Sequence, residues 1–303
     1  MTRDPASYVG RFAPSPTGPL HFGSLLAAVA SYGQALANDG RWLIRIENID
    51  PPREQPGADK QIIETLETYG FEWDGDVSYQ SDFSPRHEEL VASLVEAGLA
   101  YPCSCSRRDL ADCPRGPLGT IYPGTCRSGC VSSDASIRLR VDDSPVGFED
   151  ALQGYYEQRL ESESGDFVIK RRDGLIAYHL AVVADDFDQG ISEVVRGVDL
   201  LDSTPRQIHI QRQLGFQTPA YMHIPVAIND QGQKLSKSHG SPAIRTDKAA
   251  AEVCLALRCL KQDPPDELAS YDLRTIWHWV SRNWDASPLR GETTIPAAAH
   301  GYG

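Results

Sequence analysis

No stretch of the 303-residue sequence approaches the ~18 consecutive apolar residues that a membrane span requires, which excludes a helical membrane protein. Residues 1–10 contain no apolar core, so a secretory signal is not expected. Positive charge is in deficit: 29 Lys and Arg stand against 42 Asp and Glu, a formal net charge of −13. Phosphate contacts need positive surface, so the body as a whole is no general nucleic-acid binder, although a local basic face is still possible. Hydrophobic residues at 41% and charged residues at 23% exclude collagen and wholesale disorder. At roughly 150 residues per domain the length suggests two compact units. Cysteine is scarce outside one segment, five of the seven lying between Cys103 and Cys130. An odd total with no signal segment fits a reducing, cytoplasmic compartment, where clustered cysteines hold metal more often than they pair.

Extended and helical patterns alternate from residue 9 to about residue 98. Residues 8–13 read as a short strand, followed by the turn Pro14-Ser15-Pro16-Thr17-Gly18-Pro19. Leu25, Leu26, Val29, Tyr32 and Leu36 recur at helical spacing until Asp39-Gly40 stops them. Residues 42–46 read as a second strand, and Ile62, Ile63, Leu66 and Tyr69 mark a second helix ending at Gly70. The order suggests a parallel βαβ unit and an α/β fold. From 101 to about 134 the chain is rich in Cys, Gly, Pro and Arg with little periodicity, and reads as a small inserted module. Residues 166–183 resemble a hairpin turning at Asp173-Gly174, and residues 191–196 and 224–228 resemble strands. Helices are expected over 205–214, 249–260 and 273–284, and a frayed tail over 286–303. There is no internal repeat.

Two motifs carry chemistry. The first, from Ala13 to Ser24, is a strand–turn–helix junction. Free N–H groups at a helix start attract phosphate, Gly23 lets a flat ring or a phosphate approach the backbone, and His21 can donate to a phosphate oxygen. Taken alone it also fits a Pro/Gly turn with one surface histidine. The second is Lys234-Leu235-Ser236-Lys237-Ser238, a cationic loop after a turn-rich stretch, able to neutralise charge that builds on a reacting α-phosphate. Alone it also fits a solvated Lys/Ser loop.

Together, His21-Phe22-Gly23-Ser24 and Lys234-Leu235-Ser236-Lys237-Ser238 resemble the HIGH and KMSKS signatures of class I aminoacyl-tRNA synthetases, in the same order and similarly far apart. Arg11-Phe12-Ala13-Pro14-Ser15-Pro16-Thr17-Gly18, Arg45-Ile46-Glu47-Asn48-Ile49-Asp50, Tyr178-His179-Leu180-Ala181-Val182-Val183-Ala184-Asp185-Asp186 and Arg196-Gly197-Val198-Asp199-Leu200-Leu201 resemble glutamyl-tRNA synthetases over roughly residues 8–245. Asn48 departs from the usual Asp, beside Glu47, the substrate-facing position. Only about 65 residues follow Ser238 (303 − 238), whereas full glutamyl-tRNA synthetases continue into an anticodon-binding domain. This short form with a Cys-x-Cys module resembles the glutamyl-Q tRNA(Asp) synthetase family.

The resemblance implies a Rossmann-like parallel sheet of the class I synthetase kind, a zinc-bearing insert and a short helical C-terminal region. It implies activation of L-glutamate by ATP, with Mg²⁺, and transfer to queuosine in the anticodon loop of tRNA(Asp). Alternatives are charging of tRNA(Glu), or a nucleotidyltransferase of the same superfold that uses no RNA. The implied division is 1–100 and 161–240 for the two catalytic halves, 101–160 for the zinc-bearing module and 241–303 for the helical region with a frayed tail. A monomer that binds no membrane is expected.

The implied glutamate contacts are Arg11, Phe12, Ala13, Pro14, Ser15, Glu47, Tyr178 and Arg196. Their chemistry suits the ligand, since guanidinium forks pair with carboxylates, Tyr178 can donate to the side-chain carboxylate and Glu47 can accept from the ammonium. Each residue also has an ordinary structural reading, Arg196 as an ion-pair partner and Tyr178 as a half-buried strand residue. His21, Gly23, Lys234 and Lys237 are the implied ATP contacts, with His21 and Lys237 catalytic. One structural Zn²⁺ is implied on Cys103, Cys105, Tyr122 and Cys126. Tyrosine is an unusual zinc ligand, and Cys113 or Cys130 could replace Tyr122. Cys254 and Cys259, five apart on a helix, are expected to be packing residues. Arg107, Arg108, Arg115, Arg127, Lys170, Arg171 and Arg172 form a possible basic footprint for RNA. Trp277, Trp279 and Trp284 are expected mainly in the core.

Overall fold

A computed structural model describes residues 8–129, 134–229, 231–235 and 242–297. The chain opens with β1 (Val9–Phe12), α1 (Phe22–Ala37) and β2 (Arg41–Ile46). β1 and β2 run parallel, from Val9 opposite Arg41 to Phe12 opposite Ile44. α1 forms because Leu25, Leu26, Val29 and Tyr32 share one buried face. It stops where Asp39 enters the left-handed region at φ 47° and Gly40 follows. After α2 (Ala58–Thr68), β3 (Ser78–Tyr79) pairs parallel on the far side of β2.

Next come α3 (Ser84–Glu96), β4 (Ala100–Cys103), β5 (Arg115–Gly116), β6 (Gly119–Thr120), β7 (Ser136–Leu139), β8 (Pro145–Asp150), β9 (Gly154–Arg159), the single turn α4 (Leu160–Glu163) and β10 (Phe167–Lys170). β4 and β10 flank β7 in a small antiparallel sheet, while β5 and β6 form a two-residue ladder. The chain then returns through α5 (Tyr178–Asp188), β11 (Glu193–Gly197), α6 (Thr204–Leu214), β12 (Ala220–Ile224) and β13 (Val226–Ile228). β11 and β12 are parallel, with Arg196 directly opposite His223. The hairpin β8–β9 extends that sheet through Tyr221 opposite Asp150. Ser192, just before β11, donates to the Val9 carbonyl at 2.9 Å and so ties the second strand group to β1. The last elements are α7 (Ala249–Cys259), α8 (Leu273–Asn283) and β14 (Thr294–Pro296).

Hydrophobic packing covers both faces of these strands. α1, α7 and α8 enclose one core around Tyr32, Trp42, Phe71 and Trp277, whose rings meet at centroid distances of 4.7–5.4 Å. Gly33 of α1 is where Trp284 presses in, because a Cβ there would lie 2.7 Å from the indole. The second core joins β1, α3, α5, α6, β7 and β10. Cys254 and Cys259 are fully buried in the first core, in line with packing residues, and Trp279 is half-buried against it.

Three expected elements differ. The second arm of the supposed hairpin is the helix α5, and only an isolated bridge joins Lys170 to Ile176. The apolar run 180–184 is buried on all sides, so it carries neither period; the flanking acids and the stop at Gln189-Gly190 decide for a helix. Residues 224–228 form two strands, split at Pro225, which has no N–H to give a ladder. The tail is ordered as far as described: β14 pairs parallel with β13, and Leu289, Ile295 and Ala297 are buried. Residues 298–303 lie outside the described residues. Among the described residues no helix is long and apolar enough to cross a membrane.

Candidate active site

The ends of β1, β2 and β11 and the helix α5 converge on one charged cluster. Arg11 is buried on β1, and its Nε and Nη2 donate to the two carboxylate oxygens of Asp186 at 3.1 and 3.3 Å. Arg45 is fully buried on β2 and donates to Asp186 at 2.8 Å, Gln189 at 2.6 Å and Glu47 at 3.3 Å. Asp185, next along α5, accepts from Gln80 at 2.6 Å and lies 2.6 Å from His87 Nε2. Burial opposes ionisation of Asp186, but Arg11 and Arg45 hold its carboxyl below the ordinary range. Burial pushes the Glu47 carboxyl up, with Arg45 and Arg11 opposing. Tyr178 opens α5, and burial raises its phenol while the charges of Arg196, Glu47, Arg11 and Asp186 all bear on it.

Four of the expected glutamate contacts are therefore neighbours. One detail differs from the expected forks: Asp186 takes the Nε/Nη2 edge of Arg11, leaving Nη1 without a protein partner among the described residues. Arg196 sits at the end of β11, its Nε 3.0 Å from His223 and its Nη2 2.7 Å from the Thr204 hydroxyl. The Phe12 ring stacks on Trp42 in the core, at 6.3 Å between centroids. Ala13 and Pro14 are half-buried and Ser15 is exposed.

Beside this cluster a hollow of about 500 Å³ is lined by Phe12, Pro14, Ser15, His21, Ser24, Arg53 and Lys234. His21 caps α1, its Nδ1 accepting the Ser24 N–H at 3.3 Å. A neutral ring then carries its proton on Nε2. The early and late motifs are in direct contact. Ile244 donates to the Leu20 carbonyl at 3.1 Å, His21 bridges to Ala243, and a Cβ on Gly23 would lie 2.8 Å from the Leu235 carbonyl oxygen. The close approach that Gly23 permits is thus made by the lysine loop itself. Lys234 lines the hollow and pairs with Asp199 at 2.6 Å. Lys237, Ser236 and Ser238 lie outside the described residues.

The cysteine module brings four donors together. Cys103, Cys105 and Cys126 have sulfurs within 4.8 Å of one another, with Cys105 and Cys126 at 3.6 Å. The Tyr122 hydroxyl lies 3.3 Å from Cys103 Sγ and 3.8 Å from Cys105 Sγ. A zinc tetrahedron with bonds of about 2.3 Å to sulfur and 2.0 Å to oxygen has edges of about 3.8 and 3.5 Å, so the donor set fits zinc. Burial opposes ionisation of the Cys103 thiol, but its hydrogen bonding with Tyr122 and Arg138 pulls it below its ordinary value, whereas burial pushes Cys105 up to about 11. Cys113 is not part of the cluster, and Cys130 lies outside the described residues.

The basic footprint is partly spent internally. Arg127 is a cross-link, donating twice to Asp166 at 2.6 Å and once to Glu161 at 2.9 Å. Lys170 pairs with Glu88, Arg171 with Asp50 and Asp173, and Arg172 donates to the Ser104 carbonyl. Arg107, Arg108 and Arg115 are exposed. Sequence reasoning passed over Arg45, Asp185, Asp186, His87 and His223. Adjacent acids directly after the apolar run 180–184 were the available signal for Asp185 and Asp186; their partners lie more than 90 residues away.

Residues 8–116 and 126–255 match the family model of the catalytic domain of class I tRNA synthetases for glutamate and glutamine (E and Q). The chain is 52% identical over 292 residues to a glutamyl-Q tRNA(Asp) synthetase of Pseudomonas paraeruginosa, covering 96% of this chain and 98% of that one. It is 50% identical over 297 residues to one of Dechloromonas aromatica, covering 96% and 99%. Among solved structures, a glutamate tRNA ligase from Elizabethkingia meningosepticum in complex with its amino acid superposes with a TM-score of 0.81 at 21% identity. That match covers 97% of this chain and 68% of the other, and shows the shared fold.

Proposed function

Because the chain belongs to the family of class I tRNA synthetases for glutamate and glutamine, we propose that it activates L-glutamate with ATP and transfers the glutamate to queuosine in the anticodon loop of tRNA(Asp). The observation that carries this reading is the shared hollow of His21 and Lys234 beside the Arg11, Glu47, Tyr178 and Arg196 cluster. The relatives' names supply the RNA acceptor.

In this reading the α-carboxylate of glutamate attacks the α-phosphate of ATP in line and pyrophosphate leaves, giving glutamyl-adenylate. No protein nucleophile is needed, because positioning and charge stabilisation suffice. His21 Nε2–H and Lys234 face the phosphates, and Lys237 adds charge from the same loop. Mg²⁺, bound together with ATP, would supply further charge neutralisation on the triphosphate. Arg11 Nη1 and Arg196 hold carboxylate, Tyr178 donates to it and Glu47 accepts from the ammonium. Glutamine is rejected because an amide would leave a desolvated guanidinium poorly matched. A hydroxyl of the queuosine ring then attacks the mixed anhydride, forming an ester and releasing AMP. Cys103, Cys105, Tyr122 and Cys126 would hold zinc, which would brace a segment with too few apolar residues to fold by itself.

The deciding experiment supplies radiolabelled glutamate with tRNA(Asp), with and without queuosine, and with tRNA(Glu). Incorporation only into queuosine-bearing tRNA(Asp), in an ester on the modified base, is expected. Charging of tRNA(Glu) at its terminal ribose would replace this reading with that of a short glutamyl-tRNA synthetase.

A further inference from the structure

The guanidinium of Arg196 is held along one edge only, and the group that holds it is itself anchored. Arg196 and His223 stand opposite each other on the parallel strands β11 and β12, so their side chains leave the sheet side by side. His223 Nδ1 lies 2.6 Å from Asp150 Oδ2, at the end of β8. Asp150 Oδ1 accepts the backbone N–H groups of Leu152 at 3.0 Å and Gln153 at 2.9 Å, and the His223 N–H is shared between Oδ1 at 3.2 Å and Oδ2 at 3.1 Å. A carboxylate held by so many donors acts only as an acceptor, so the imidazole proton resides on Nδ1. Nε2 is then a lone pair, and it faces Arg196 Nε at 3.0 Å. The Thr204 hydroxyl accepts from Arg196 Nη2 at 2.7 Å. His223 is fully buried and the Asp150 side chain is sealed from solvent. Burial, the Asp150 hydrogen bond notwithstanding, keeps the imidazole below its ordinary value and hence neutral.

We propose that His223, oriented by Asp150, is the positioning residue that aims the free edge of Arg196 at the ligand carboxylate. Nη1 of Arg196 keeps no protein partner among the described residues, and the side chain lies close enough to Tyr178 for its charge to bear on that phenol. Arginine has many rotamers, and fixing Nε and Nη2 before the ligand arrives removes that freedom in advance. The inference rests on the reading of Arg196 as a glutamate contact.

The test compares His223→Asn with His223→Gln in glutamate-dependent ATP–pyrophosphate exchange. Asparagine can replace Nδ1–H toward Asp150 but does not reach Arg196, whereas glutamine places an amide oxygen near the Nε2 position. Loss of one hydrogen bond to a charged group is expected to raise the glutamate KM about 10- to 100-fold in His223→Asn, with kcat and the ATP KM nearly unchanged. His223→Gln should recover most of that affinity. Where His223→Asn fails to fold, Asp150→Asn carries the same test. The backbone N–H groups of Leu152 and Gln153 on Oδ1 hold the amide oxygen there and put the new amide nitrogen in the Oδ2 place, which turns the ring tautomer over and sets donor against donor at Arg196. The proposal is overturned if His223→Asn or Asp150→Asn keeps the parental glutamate KM while Arg196→Ala raises it, or if Asn and Gln lose affinity equally. If Arg196→Ala itself leaves the glutamate KM unmoved, the reading of Arg196 is what fails.

Discussion

Asp186 is the residue on which the charged cluster depends, since it accepts from both Arg11 and Arg45 with its side chain only 9% exposed. Breaking a buried ion pair by removing one partner costs about 3–5 kcal/mol, because the partner charge stays desolvated. Asp186→Asn is therefore expected to lose stability on that scale in urea unfolding, and a loss below 1 kcal/mol would show that the two guanidiniums find other acceptors. His179 gives a pH signature. Burial, reinforced by Arg206 and Arg196, pushes its imidazole down to about 3, against about 6.5 in the unfolded chain. Between these values the unfolded state holds more protons, so this group's stability is fully present above pH 6.5 and is lost as pH falls toward 3. His209 and His223 act in the same direction, and the lowered carboxylates act only below about pH 4. His179→Leu should flatten the slope of unfolding free energy between pH 6.5 and 4.5 by up to about 1.4 kcal/mol per pH unit. An unchanged slope would mean the ring is solvated. The sequence showed His21, Lys234 and the clustered Arg, Glu and Tyr types through their motifs. It could not show that Asp186 occupies one edge of Arg11, because 175 residues separate that pair.

At the level of elements, strands and helices with strong periodicity could be read directly, whereas buried runs could not. β1, α1 and β2 follow from spacing and stop residues, but α5 required knowing that both sides of 180–184 are covered. β14 was invisible because a three-residue strand has meaning only beside β13. The cysteine module is the opposite case, since ligand spacing announces it while its apolar content would not. Among the described residues its own cluster holds only Tyr101, Cys103, Tyr122 and Cys126 as buried members, with Cys105 and Leu110 packed on them. Such a small core gives little stability without a metal. Cys103→Ser should lower bound zinc per chain, read by metal analysis after dialysis against a weak chelator, and should make the module sensitive to proteolysis. Full zinc occupancy in that variant would remove Cys103 from the ligand set. Cys113→Ser should keep the metal, because its sulfur stands apart from the cluster.

Over the whole molecule, an acidic body must still meet an acidic tRNA. The formal charge of −13 repels RNA at long range, so contact has to be made by a few arginines that owe nothing to the fold. Arg127 fails that condition, being tied to Asp166 and Glu161, and Lys170 and Arg171 are neutralised by Glu88 and Asp50. Arg107, Arg108 and Arg115 satisfy it, exposed on the segment that the three clustered cysteines draw together. The double variant Arg107→Glu/Arg108→Glu should raise the KM for tRNA(Asp) steeply at low salt. It should also reduce the slope of log affinity against log salt by about 1.5, the value for two lost phosphate contacts. At saturating tRNA the glutamate KM should stay at the parental value, because neither arginine lines the hollow of His21 and Lys234. A salt slope equal to that of the parent would place the RNA on another face. Arg127→Ala is the matched control: it should cost stability through Asp166, whose carboxylate also holds Tyr101 and the Val141 N–H, without changing the salt slope of the protein that still folds.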